Sequence, residues 1–171
     1  MTVKIYKNPS PDIFNKDEEH FGAYIAHLAE VSISSSYCTQ QFSKFTQKEK
    51  NDIPYSIHSK KQKETYLILK FDALAIINAI TEFNREDIKQ EWATGIQFES
   101  SMDGETWKLL KYFKVQNNTT INAWNFDLTE FEESKCQGQY FRQILKGKKQ
   151  YLSLKQIMLW DRKEKLQRVS I

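Results

Sequence analysis

Where the pattern of apolar and polar residues in this chain is clearest it alternates, the period of a strand, rather than recurring at the helical period of about 3.6. Residues 95–101 are the cleanest case: Ile96, Phe98 and Ser100 fall on one side, Gln97, Glu99 and Ser101 on the other. Asp103-Gly104 follows as a tight-turn dipeptide, and Trp107 to Phe113 reads as the returning strand. Thr65 to Phe71 is a strong strand, rich in β-forming residues, and Val31 to Ser35 a short one. Ala75 to Phe83 fits a helix or a strand; its isoleucines and the strand before it favour strand. Thr120 to Leu128, Gln139 to Lys146 and Leu152 to Trp160 complete the set, with an acidic one-turn segment at Thr129 to Glu133. Residues 39–54 and 84–94 are long polar loops. Near the start, Pro9 and Pro11 keep residues 1–14 extended. Asn15 and Glu18 can cap a helix over Lys16 to Leu28, with Phe21, Tyr24, Ile25 and Leu28 on one face and Gly22 as its weak point.

Many short strands joined by turns predict an all-β protein: an eight-stranded antiparallel β-sandwich of jelly-roll type, with a short N-terminal helix and extended terminal arms. The expected division is an arm and helix over 1–28, the sandwich over 29–160 and a charged tail over 161–171. A chain of 171 residues fits one such domain. Apolar residues at 40% and aromatics at 13% exclude a disordered chain. The net charge of +3 is too small to imply nucleic acid, and arginine, the better residue for bidentate phosphate contacts, occurs only at Arg85, Arg142, Arg162 and Arg168. The N-terminus lacks the apolar core of a signal peptide, and no run of about 18 apolar residues predicts a transmembrane segment. Cys38 and Cys136 are therefore expected to be free thiols in a cytoplasmic protein.

The residues Phe98, Ser101, Asp103, Gly104 and Trp107 form a hairpin signature, Phe-x-x-Ser-x-Asp-Gly-x-x-Trp. Behind it come Asn125-Phe126, Gln139-Tyr140-Phe141-Arg142-Gln143-Ile144 and Leu152 to Ile157; ahead of it stand Val31 to Tyr37 and Tyr66 to Phe71. In this order the five segments resemble the discoidin, or coagulation factor V/VIII type C, family over about residues 29 to 160. The resemblance implies a galactose-binding-like jelly roll whose ligands meet loops at one end. It also raises a structural calcium at the second segment, where the family pattern Asp-Gly-x-x-x-Thr-x-Trp is replaced by Asn51-Asp52-Ile53-Pro54-Tyr55-Ser56. Neither the glycine nor the tryptophan is present, which tells against that calcium, and the expectation is no cofactor and no metal. The cysteine pair that often joins the family's termini is also missing. A ciliary inner-junction family with a similar sandwich is more distantly similar, over Phe126 to Leu128 and Trp160 to Arg162.

Catalytic patterns are lacking. His20, His27 and His58 do not stand at metal-ligand spacing, Glu18-Glu19 and Glu132-Glu133 read as solvated pairs, and no phosphate loop or nucleophile motif occurs. The expectation is a protein without enzymatic activity. The loops that the resemblance assigns to ligands carry Tyr37, Phe42, Phe45, Tyr55, His58, Arg85 and Trp92. Their rings can stack on a sugar or anchor a protein contact, or, for Phe42, Phe45 and Trp92, fold back onto the sandwich. Trp107, Trp124, Phe126 and Phe141 are expected in the core. A basic contact surface is expected from Lys146, Lys148 and Lys149 in a turn, with Arg162, Lys163, Lys165 and Arg168 after the last strand. Two functions follow: a non-catalytic scaffold subunit with protein partners in a larger assembly, ciliary or cytoskeletal, or a carbohydrate-binding lectin-type domain. A discriminating feature is sugar binding by the loop aromatics.

Overall fold

The computed structural model describes residues 3–6, 22–37, 39–85, 96–113 and 123–162. Within these lie ten strands, every pairing antiparallel: β1 (Val3–Tyr6), β2 (Ala23–Tyr24), β3 (Glu30–Ile33), β4 (Ile57–His58), β5 (Gln62–Asn84), β6 (Ile96–Ser101), β7 (Lys108–Phe113), β8 (Ala123–Asp127), β9 (Gln137–Gln150) and β10 (Ser153–Asp161). They make the all-β sandwich that the alternation predicts. One sheet runs β3-β5-β9-β6-β7; the other runs β1-β8-β5-β10, with β2 and β4 on the far edge of β10.

β5 belongs to both sheets. The two apolar runs expected as separate strands are one 23-residue strand. Its first half pairs with β3 and β9, its second with β8 and β10, and the register slips between Lys70 and Ala75. Such an irregularity lets a strand turn a corner from one sheet to the other. Both ends of β5 therefore return to the same end of the sandwich: Gln62 lies opposite Gln150, and Asn84 opposite Leu154.

The core fills the gap between the sheets. Phe98 of β6 meets Phe126 of β8 edge-on at 4.9 Å, and Phe71 meets Phe141 at 5.9 Å. Trp160, Phe45, Phe71 and Phe126 are completely buried. At about 25 cal/mol per Å², each such ring contributes on the order of several kcal/mol of burial energy. Every residue of β10 is buried, because the loop between β3 and β4 covers its second face.

Several expectations change. The helix over Lys16–Leu28 does not form across 22–28: Gly22 sits at φ +116°, Tyr24 pairs with Trp160, and only a single 3-10 turn, Ala26–Leu28, follows. Residues 16–21 lie outside the described set. The N-terminal arm, expected to be extended, begins as β1, paired with β8 of its own chain. The basic run 146–149 is not a turn but part of β9, where Gly147 at φ +102° marks an outward bulge. Trp107 is half-buried on the outer face rather than in the core, with the Arg142 guanidinium 4.2 Å from its ring and Arg142 in turn bonded to Glu99 at 2.7 and 3.0 Å. Phe126 and Phe141 are in the core as expected; the Trp124 side chain is not among the described ones.

Candidate functional site

The end of the sandwich where both ends of β5 return gathers four of the expected ligand residues. β4 is only two residues long, yet it is well fixed. His58 and Ser153 are paired across β4 and β10, Ser59 N donates to Leu152 O at 2.9 Å, and Leu152 N donates to Ser59 Oγ at 2.8 Å. On the other flank the Gln40 amide grips the His58 backbone from both sides, accepting from its N–H at 2.6 Å and donating to its carbonyl at 3.0 Å. Tyr37 N donates to the same carbonyl at 3.1 Å.

This framework places the rings. His58, itself buried, stacks on Tyr151 with centroids 5.0 Å apart and planes inclined by 23°. Tyr37 stands edge-on to His58 at 5.0 Å and to Tyr151 at 6.3 Å. Tyr55 lies 5.7 Å from His58, and the Arg85 guanidinium covers the Tyr55 ring at 4.2 Å. Arg85 Nη1 also donates to Ser153 Oγ at 3.3 Å, so the cation is held in place by the start of β10. Tyr37 is 65% exposed and Tyr151 40%, whereas large apolar side chains elsewhere are mostly inside. Lys61 Nζ sits 6.0 Å from the Tyr151 centroid at the rim. An exposed aromatic platform bordered by a fixed guanidinium and phenol hydroxyls can offer an apolar face and directed hydrogen bonds to one ligand.

Tyr37, Tyr55, His58 and Arg85 thus come together. Phe42 and Phe45 do not join them: they share one face of the single helical turn Phe42–Phe45, and that face packs on the core, leaving Phe45 fully buried and Phe42 partly so. Trp92 lies outside the described residues. Tyr151 was not legible as a site residue, since its flanks read as two strand ends; an aromatic in the two-residue link between β9 and β10 was the available signal.

The expected basic surface is split. Lys146 and Lys149 are exposed on the β9 bulge near this end, and the Lys148 side chain is not described. Arg162 lies a full length of β10 away, its N–H on Ile76 O. Its guanidinium is engaged internally, with Asn78 Oδ1 at 2.9 Å, Glu133 Oε1 at 3.0 Å and Phe131 O at 3.2 Å. That clamp closes the far end of the sandwich and is no free contact cation. Lys163, Lys165 and Arg168 lie outside the described residues.

The segment 51–56, where the resemblance raises a calcium, does not fit one. Asp52, its sole carboxylate, is exposed and pairs with Lys44 Nζ at 2.9 Å, while Asn51 is buried and spends its amide donor on the backbone, bringing a neutral amide oxygen rather than a carboxylate to the interior. Among the described residues no cluster of three or more His, Cys, Asp or Glu could hold a metal, and no helix is long and apolar enough to cross a membrane.

No protein-family model matches the sequence, and no curated protein matches it. Solved structures do match in three dimensions. A fucose-binding module from Streptococcus pneumoniae is 16% identical, covers 81% of this chain and 97% of its own, and superposes with a TM-score of 0.64. The lectin domain of lectinolysin, complexed with Lewis b antigen, is 14% identical over 80% of this chain and 94% of its own, at 0.62. A CBM32 module from Clostridium perfringens, in complex with GalNAc-β-1,3-galactose, is 11% identical over 81% and 99%, also at 0.62. The chain therefore has the discoidin-like, galactose-binding-like fold.

Proposed function

We propose that this protein is a carbohydrate-binding module that holds a glycan at the platform of Tyr37, Tyr151, His58 and Tyr55, without breaking a bond in it. The observation that carries this reading is the exposed pair Tyr37 and Tyr151 over the buried His58, with Arg85 fixed beside them. Sugar rings present an apolar C–H face and a rim of hydroxyls. Tyrosine rings stack on the first, and the Arg85 N–H groups and the phenol oxygens bond to the second. The structures of similar fold bind fucose, Lewis b antigen and GalNAc-β-1,3-galactose, which supports a glycan reading over a ciliary or cytoskeletal scaffold.

A glycan array followed by titration calorimetry tests it. Tyr151→Ala and Arg85→Ala should each weaken binding about tenfold, since one stacked ring or one charged hydrogen bond is worth roughly 1–1.5 kcal/mol. Tyr151 is exposed, so its removal leaves the fold in place. Absence of binding across the array, or binding that both substitutions leave unchanged, refutes the reading.

A further inference from the structure

The loop between β3 and β4 lies across β10 with its backbone carbonyls turned inward. Gln156, on β10 and fully buried, donates its amide Nε2 to Gln47 O at 2.6 Å and to Glu49 O at 2.8 Å. Tyr24 donates its hydroxyl to Thr46 O and, at 3.0 Å, to Gln47 O. Asn51, 2% exposed, directs Nδ2 at Lys44 O at 3.0 Å, Lys155 O at 2.9 Å and Ser56 Oγ at 3.2 Å. The two amides are joined, because Asn51 N donates to Gln156 Oε1 at 3.1 Å. Five carbonyl oxygens and a hydroxyl thus converge on uncharged donors.

Convergent backbone oxygens are the ligands a hard cation such as calcium takes, usually six to eight of them with carboxylates among them. Here those oxygens are already occupied by N–H and O–H groups, and the carboxylate near enough to act on the Tyr24 hydroxyl, that of Glu49, belongs to an exposed side chain. Asn51 Oδ1 is the one side-chain oxygen in the cluster left without a hydrogen bond. A single amide oxygen is too little to draw a divalent ion from water. The donors also cannot rotate away without leaving several buried carbonyls unpaired, at about 1–3 kcal/mol each.

We propose that the side-chain amides of Asn51 and Gln156 fasten this loop to β10 in the place of a cation, so that the loop is held independently of divalent metal. The same loop carries Tyr55 toward the ring platform, and the corollary that glycan binding needs no calcium rests on the carbohydrate reading above.

The test is thermal unfolding of the full chain, followed by circular dichroism, in EDTA and in millimolar calcium chloride. The wild-type midpoint should be the same in both. Gln156→Glu and Asn51→Asp each place a carboxylate among the carbonyls. They should lower the midpoint in EDTA by roughly 4–10 °C and recover much of it when calcium binds the new oxygen cage. Gln156→Met should lower the midpoint by a similar amount with no recovery. A wild type whose midpoint rises in calcium and falls in EDTA overturns the proposal; so does Gln156→Met that melts with the wild type. Should Gln156→Glu fail to fold, Asn51→Asp and the wild-type comparison still decide it. These melts read out whether or not any glycan binds. Glycan binding abolished by EDTA at an unchanged midpoint overturns the corollary and leaves the carbohydrate reading standing.

Discussion

Gln143 sits where an apolar residue would be expected. It is 1% exposed on β9, directly between Leu67 of β5 and Phe98 of β6, and neither its Nε2 nor its Oε1 meets a hydrogen-bond partner. Phe141 and Leu145, two residues away on the same strand face, are buried as well. A buried amide with no partner is destabilising by about 1–3 kcal/mol. Gln143→Met keeps the length and nearly the volume of the side chain, so no cavity opens, and the swap itself costs less than about 1.5 kcal/mol. The net expectation is a gain of about 1–2 kcal/mol. At roughly 2–4 °C per kcal/mol for a chain of this size, Tm should rise by about 2–8 °C. Urea unfolding should show the midpoint moving with its slope unchanged. The refuting result is a fall in Tm. Thr65 Oγ1 and Ser100 Oγ are also buried and unpartnered on the diagonals beside Gln143, opposite Leu145 and Phe141. A water bridging these groups would give the amide its partners, and methionine would then remove a satisfied network.

Two further measurements address the hairpin and the thiol. The Asp103 carboxylate accepts from the N–H groups of Thr106 and Glu105, both at 2.8 Å, and from the Ser101 hydroxyl at 2.9 Å, which lowers its pKa to about 2. Because the folded value lies below that of the unfolded chain, about 4, this carboxylate supports the turn above that pH and ceases to as pH falls through about 2. NMR titration should show Asp103 and the Thr106 amide moving together with a midpoint near 2, and a midpoint at the ordinary carboxylate value contradicts the geometry. Burial raises the Cys136 thiol, with Arg162, Lys108 and Lys135 pulling weakly the other way. Cys136 should therefore resist alkylation until the protein unfolds, as peptide mapping would show; rapid labelling of native Cys136 would contradict its complete burial.

The Asp-Gly hairpin shows what local chemistry makes legible. Gly104 adopts φ +80°, and a Cβ there would meet Tyr140 Cε1 at 3.0 Å, so both backbone conformation and packing demand glycine where the sequence has it. Strand residues were legible for a similar reason, since alternation reports one buried face. Phe45 and Phe42 show where reading stops. Two phenylalanines three apart in a polar loop share a helical face, but whether that face meets solvent or β10 depends on a strand more than a hundred residues later. Arg162 is the same case with charge: its position suggested a free cation, and Asn78 of β5 engages it together with Glu133 and the Phe131 carbonyl of the segment between β8 and β9.

The sequence by itself pointed to the all-β class, the tight hairpin and the core positions of Phe126 and Phe141, and it offered Tyr37, Tyr55, His58 and Arg85 as loop residues that the structure brings to one end. The class, the hairpin and the core positions follow from period, turn chemistry and residue type, which are local; the loop residues followed from the discoidin resemblance. Only the tertiary structure decided that β5 serves both sheets, that the lysines of β9 and Arg162 stand at opposite ends of the sandwich, and that Tyr151 stacks on His58. Each of these depends on register between distant strands. A corner in β5 brings Gln62 and Asn84 to one end, and with them the residues that flank β10; no local pattern records where a strand will bend.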